Sequence, residues 1–428
     1  MRQLLALFTV LLAALSSARG SDFEREPILY SAATPDNVIS RLQQRINEGK
    51  ESLAFDPDKG YLPAVLKALK VPISSQTLVF SKTSLQRHRI GPRMPRALFF
   101  NDDVYVGHCQ KGDVVEISAV DSKLGTVFYT LDQESSAKPT FTRQTDNCLQ
   151  CHASSQTRGV PGHLVRSVFP DVQGMPILSA GTYRVDQTTP LERRWGGWYV
   201  TGQHGNQTHL GNFIVRGREV ARPVDNASGM NLADLGERFP RSNYLSPHSD
   251  IVALMVLEHQ AEAHNLLTRA NFEGRAALHM EETLNREMKA APGYQWDSTR
   301  VRIRSVADAL VDYFLFREEA PLTDKIQGSS DFSREFARQG PRDRKGRSLR
   351  DLDLTRRLFR YPMSYLIYSP SFDALPDRVR EQVWERLDAI LSGKDNRKEY
   401  AHLSAEDRQA IREILADTRT GTPASWKK

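Results

Sequence analysis

Two cysteines and a histidine carry the chemistry most readily read from this chain. In the stretch TDNCLQCHASS, Cys148 and Cys151 stand three residues apart and His152 follows directly. Covalent attachment of haem needs three things from a short segment. Two thiols must add to the vinyl groups on one porphyrin edge, and a two-residue spacer gives that reach. The next imidazole then falls beneath the ring, where its nitrogen can bind the iron. Cys148 and Cys151 are therefore expected to bond one haem c as thioethers, with His152 as the proximal iron ligand.

Two other chemistries use the same residue types. Zinc takes thiolates and imidazoles, and Cys109 in GHCQKG would add a third cysteine, with His108 or His152 as fourth ligand. The lone Cys109 lacks the closely spaced second ligand of a zinc ribbon, so a buried small residue at a strand end is the plainer expectation for it. A redox-active Cys148–Cys151 disulfide would open a helix directly after a strand. Here the polar run ESSAKPTFTRQTD precedes the motif instead.

The ligand on the other face of the iron decides its use. Methionine or a second histidine suits electron transfer, whereas an open position admits small ligands or peroxide. The distal candidates are His204 and His209 in GQHGNQTHLGN, near Trp195 and Trp198; Met175 on a predicted hairpin; and His259 on a long predicted helix. His163, eleven residues after His152, is expected to lie too near to reach the opposite face. His248, Met255, His259 and Glu262 fall on one stripe at helical period, with His264 to the side. A second metal there would want Glu-x-x-His pairs on two helices, which are absent. A core stripe with a polar edge is expected. Six-coordinate, low-spin iron follows as the expectation.

Covalent haem c also requires export, and residues 1–20 are suited to it. MRQLLALFTVLLAALSSARG has Arg2, an apolar run from Leu4 to Leu15, and small residues at its end. That pattern is a secretory signal peptide, too short in its apolar part to span a bilayer. The expected location is the periplasm or cell envelope, with no transmembrane span in the mature chain. The 428 residues carry a formal charge of +6, or +4 without Arg2 and Arg19. Much of the local excess lies in RQGPRDRKGRSLRDLDLTRRLFR, Arg338 to Arg360. Aspartates interrupt it, so a solvated loop leading into a helix is expected rather than a nucleic-acid surface.

The elements that must position the motif read as α+β. A helical lead is expected over 21–76, its first helix capped by Thr34 with Pro35 at the first helical position. A mostly antiparallel β unit carrying the haem motif is expected over 77–222, from ALFFNDDVYVG, DVVEISAV and TVFYTLDQ. Two further hairpins are expected there. One turns at Asp171–Gly174; the other lies within RRWGGWYVTGQHGNQTHLGNFIVRG. A helical C-terminal half follows, as a long-helix region over 245–320 and a helical region over 321–428. The longest helix is expected from about Asp250 to Met288, kinked near Gly274.

Several blocks, among them FFNDDVYVG, CLQCH, VPGHLVRSV, RWGGWYVTG, PHSDIVALMVLEHQ and GPRDRKGRSLRDLDL, resemble a family of exported bacterial mono-haem cytochrome-c-domain-containing proteins. The resemblance implies haem c and export and brings no substrate. The β unit is also similar to haem-c-binding PAS-like periplasmic domains. Small cytochromes c place the motif near the start of a compact helical fold, and this chain departs from that pattern. No phosphate-binding glycine loop, dinucleotide motif or hydrolase constellation is present. The expected role is electron transfer with a redox partner protein in the cell envelope. Small-ligand sensing and a peroxidase-like activity are the alternatives.

Overall fold

The computed structural model describes residues 22–426 except Arg218 and Arg222. The expected signal peptide lies outside the described residues. Near the start, α1 (Val38–Asn47) and α2 (Leu62–Ala68) form the helical lead. Thr34 does not cap α1; Asn37 does, its side-chain oxygen accepting from the backbone of Ile39 and Ser40 while Ser40 Oγ reciprocates. The reason is tertiary. Asp36 N donates to Asp121 Oδ2 at 2.7 Å, which ties down the residue immediately before the cap.

Six strands then form an uninterrupted antiparallel meander. These are β1 (Thr77–Val79), β2 (Arg96–Phe100), β3 (Val104–His108), β4 (Val114–Asp121), β5 (Gly125–Asp132) and β6 (Phe141–Gln144). Strand alternation sends successive side chains to opposite faces. Val115, Ile117, Ala119, Val127, Tyr129 and Leu131 pack with Ile39, Leu42 and Val65 of the lead helices. The opposite face carries a paired row, Phe100–Tyr105–Ser118–Phe128, running across four strands.

After the motif come β7 (Arg166–Val168) and β8 (Thr182–Arg184), which pair with each other. The turn at Asp171–Gly174 is present between them, with Gly174 N donating to Asp171 O at 2.9 Å. The second expected hairpin is not one. Its segments, β9 (Trp198–Tyr199) and β10 (Gly202–Gln203), take distant partners: β9 joins the edge of the large sheet beside β1, and β10 pairs further down the chain.

The face of the sheet opposite the lead helices receives α4 (Ile251–Glu287), a helix of 37 residues. Asp250 caps it, accepting from Val252 N at 2.7 Å and Ala253 N at 3.2 Å, and from Ser330 N and Oγ at 2.8 Å each. Its first half is not an amphipathic stripe. Every residue from Ile251 to Thr268 is buried, because sheet and helices enclose it. His248 precedes the helix. Gly274 lies inside the helical span, where a Cβ would come within 2.5 Å of Val379.

The remaining elements are α5 (Asp297–Phe314), β11 (Gln327–Gly328, the partner of β10), α6 (Phe332–Arg338), the single turn α7 (Pro370–Asp373), α8 (Asp377–Leu391) and α9 (Ala405–Thr418). The result is mixed α+β, with the sheet in the N-terminal half and most helices in the C-terminal half. The arginine-rich stretch after α6 is not a solvated loop. Arg347 bridges Asp343 and Glu413, Arg357 bonds Asp407, and the buried Arg350 pairs with Asp102. Among the described residues no helix is long and apolar enough to cross a membrane.

Candidate functional site

The motif closes the open edge of the sheet. β6 pairs only with the Phe128–Leu131 part of β5, leaving the start of that strand without a neighbour. Two groups fill the gap at Thr126: its N–H donates to Pro161 O at 3.3 Å, and its carbonyl accepts from Tyr30 OH at 2.9 Å. Between β6 and Pro161 the chain makes α3 (Leu149–His152), one helical turn preceded by Cys148. Leu149, Ala153 and Val160 anchor it on the core shared with the lead helices. Residues three and four apart share a helix face, so Cys148 lies on the same side of the turn as Cys151 and His152.

His152 is half-buried against the Phe128 ring, centroids 4.9 Å apart. Its Nδ1 lies 2.9 Å from Gly162 O. A carbonyl only accepts, so the proton sits on Nδ1 and the lone pair of the neutral ring on Nε2. Burial lowers the ring's pKa and favours that neutral form. Metal-binding histidines are held this way, the second nitrogen bonded to a carbonyl or carboxylate that orients the ring and strengthens it as a donor. Cys148 is half-buried and Cys151 exposed, and both are free thiols. Burial, with Glu116 as the next cause, pushes the Cys148 thiol up to about 11. A thiol so held is a poor nucleophile in the folded chain.

The segment after the motif is tied to α4. Asn265 accepts from His163 N and donates to His163 O, both at 2.9 Å. Glu262 takes Arg158 at 2.6 Å and Arg184 at 2.8 Å while its own side chain is 3% exposed. The expected polar edge of the helix thus has a definite use: it fixes the loop whose carbonyl orients His152.

His163 sits behind Phe128 on the same face of the sheet, its ring 3.9 Å from Tyr105. Both ring nitrogens meet hydroxyls, Ser118 Oγ at 2.9 Å and Thr126 Oγ1 at 3.4 Å. Beyond it His264 donates from Nε2 to Asp102 O at 2.8 Å. Burial drives His163 well below the usual imidazole range and His264 down to about 4.

The four distal candidates differ in how they are held. His204 and His209 are buried together, rings 4.7 Å apart, with His209 against Trp195. His204 Nε2 accepts from Asn231 N at 3.0 Å, so its proton is on Nδ1 and neither nitrogen has a free lone pair. His209 Nδ1 has no hydrogen-bond partner. Burial, then the neighbouring His204, pushes that ring down to about 3. His259 is fully buried, stacked on Tyr313 and Phe316, with Nδ1 at 2.6 Å from Gln187 Oε1 and Nε2 at 2.8 Å from Ser364 Oγ. Met175 is 47% exposed on the turn after β7. No hydrogen bond or ring contact joins any of the four to α3 among the described residues.

Cys109 is buried directly after β3, as expected of a small core residue. Among the described residues no three His, Cys, Asp or Glu side chains are gathered to hold a metal ion, so the three-cysteine zinc set is not assembled. Two contributors were not singled out from the sequence. Phe128 was legible as a member of the even-numbered face of β5; Gly162 acts through its carbonyl, which leaves no trace in residue type. No protein family, curated protein or solved structure matches the chain.

Proposed function

We propose that this chain is an exported c-type cytochrome that carries one covalent haem and transfers electrons in the cell envelope. Cys148 and Cys151 would hold the porphyrin as thioethers and His152 Nε2 would bind the iron. The observation that carries the reading is the pairing of the CLQCH turn with the Gly162 carbonyl, which leaves one imidazole nitrogen free beside two thiols. Haem supplies a one-electron couple when bound. The chain's own residues orient the imidazole, hold it neutral and pack Phe128 beside it.

A protein expressed with haem-ligating machinery should stay red after acid–acetone extraction and gain the mass of one haem. Colourless chain with free thiols from a host able to ligate haem would refute the reading. One observation favours a second use of the same haem. His204 and His259, two of the four distal candidates, have their ring lone pairs engaged by Asn231 and by Ser364, which favours an open sixth position and binding of small ligands. Rapid carbon monoxide uptake by the reduced protein would select this use; a low-spin spectrum indifferent to carbon monoxide would select electron transfer.

A further inference from the structure

A basic surface with an apolar centre lies beside the motif. The segment KTSLQRHRIGPRMPR, Lys82 to Arg96, has five basic residues and no acidic one. Gln86 fastens it to β4. Its amide donates at 3.0 Å to both Val114 O and Glu116 Oε1, and its oxygen accepts from Asp113 N at 2.9 Å. Arg89 pairs with Asp113 and Arg96 with Glu116. Lys82, Arg87 and Arg93 have no acidic partner among the described residues. Glu116, paired with Arg96 at 2.7 Å, lies two residues from Ser118 on the sheet face that carries Phe128, the ring against which His152 packs. The Arg96 end of the charged segment therefore shares a face of the sheet with the motif.

The turn after β7 docks on this segment. Gly174 O accepts from Lys82 N at 2.8 Å. A Cβ on Gly174, whose φ is +85°, would lie 2.4 Å from Phe80 O and 3.4 Å from Pro92. The contact admits no side chain at that position. The two docked segments carry Leu85 and Met94, and Val172, Met175 and Leu178, 41–79% exposed, which are five of the eleven large apolar side chains exposed among the described residues. Single exposed apolar residues need no explanation, but a group on two mutually docked loops marks an interaction site. An apolar centre with a charged rim is the anatomy of a transient protein interface, where the charges set encounter rate and partner choice.

We infer that this face docks an acidic redox protein, with Leu85, Met94, Val172, Met175 and Leu178 at its centre and Lys82, Arg87 and Arg93 on its rim. The inference rests on the proposed haem for its purpose, though not for its binding chemistry. In the exchange the iron of one protein is oxidised by one electron and the partner's centre is reduced by one.

Titration calorimetry of the haem-loaded chain against an acidic [2Fe–2S] ferredoxin at low ionic strength tests it, with a basic blue-copper protein and anionic phosphatidylserine vesicles as controls. Binding to the ferredoxin alone is expected, weakening as salt shortens the range of the charges. The triple variant Lys82→Glu, Arg87→Glu, Arg93→Glu should bind at least tenfold more weakly, and Leu178→Ser, which adds no charge, should weaken binding without changing its salt dependence. Equal affinity for the two redox proteins, preference for the vesicles, or unchanged affinity in the triple variant would each overturn the inference. If the chain takes up no haem, the proposed cytochrome fails, while the same titration on the haem-free chain still decides the docking face.

Discussion

His152 and His259 are the same residue type, both held uncharged by burial, and they sit in opposite kinds of place. His152 rides on a single helical turn at the sheet edge, bonded through Nδ1 to Gly162 O, with Nε2 uncommitted. His259 lies in the first half of α4, bonded through both nitrogens and stacked between aromatic rings, with its pKa driven down to about 3. The first is oriented and left unfinished. The second is finished. A histidine's capacity to bind iron is set by the partner its second nitrogen lacks, and sequence position on an apolar stripe says little about that.

Replacing each in turn separates the two roles, and this is where the largest effects are expected. His259→Ala leaves Gln187 and Ser364 without their partner and opens a cavity between Tyr313 and Phe316, so it should cost about 3 kcal/mol or more. Its haem content and spectrum should match the parent. His152→Ala should cost little stability and, if the chain carries haem as proposed, keep the thioether-bound haem while changing its optical spectrum through loss of the proximal ligand. Chemical denaturation and an optical spectrum on the same two samples check both. A His259→Ala protein with parent stability, or a His152→Ala protein with the parent spectrum, would erase the contrast.

Acid should act on the buried member of the pair. Folding holds His259 at about 3 and His264 at about 4, against about 6.5 in an unfolded chain. A depressed pKa contributes stability that is fully present above 6.5 and is lost as pH falls towards 3–4, since only the unfolded chain binds the proton in that window. Each such histidine then removes about 1.4 kcal/mol per pH unit. Asp103 runs the other way. Burial, with Asp102 next, raises it to about 6, so its contribution is present below the ordinary aspartate range and lost as pH rises through 6. His259→Gln should therefore lower proton uptake on unfolding at pH 5 by about one proton relative to the parent. Unfolding measured by calorimetry in buffers of different ionisation enthalpy reads that number directly.

What was legible from the residues follows how local each determinant is. The start of the long helix near Asp250 and the turn at Asp171–Gly174 are set within a few residues, and both are found where the sequence places them. The meander was legible for the same reason, from short β-branched runs divided by Asn, Asp and Gly. Trp198–Tyr199 and Gly202–Gln203 read as a hairpin because their true partners, at Leu78 and Gln327, lie over a hundred residues away. The arginines after α6 read as solvated because Glu413, Asp407 and Asp102, which pair with them, belong to other elements. Charge and periodicity are visible along the chain; the group that answers them across the fold is not.

The smallest expected effect tests whether the open histidine depends on its carbonyl. Gly162 has no room for a side chain: a Cβ there would lie 2.1 Å from Asn265 Oδ1. Asn265 is the side chain that brackets His163, so Gly162→Ala must push apart the loop and α4 at the point where Gly162 O receives His152 Nδ1. A weakened Nδ1–H bond makes the imidazole a poorer donor to iron, which favours the reduced state. The reduction potential should rise modestly while haem content stays the same. Asn265→Ala, which relieves the clash, should bring the potential of the double variant back towards the parent. A potentiometric titration of the three proteins, showing either no rise in Gly162→Ala or no recovery in the double variant, would place the orientation of His152 in α3 itself rather than in the loop that reaches back to it.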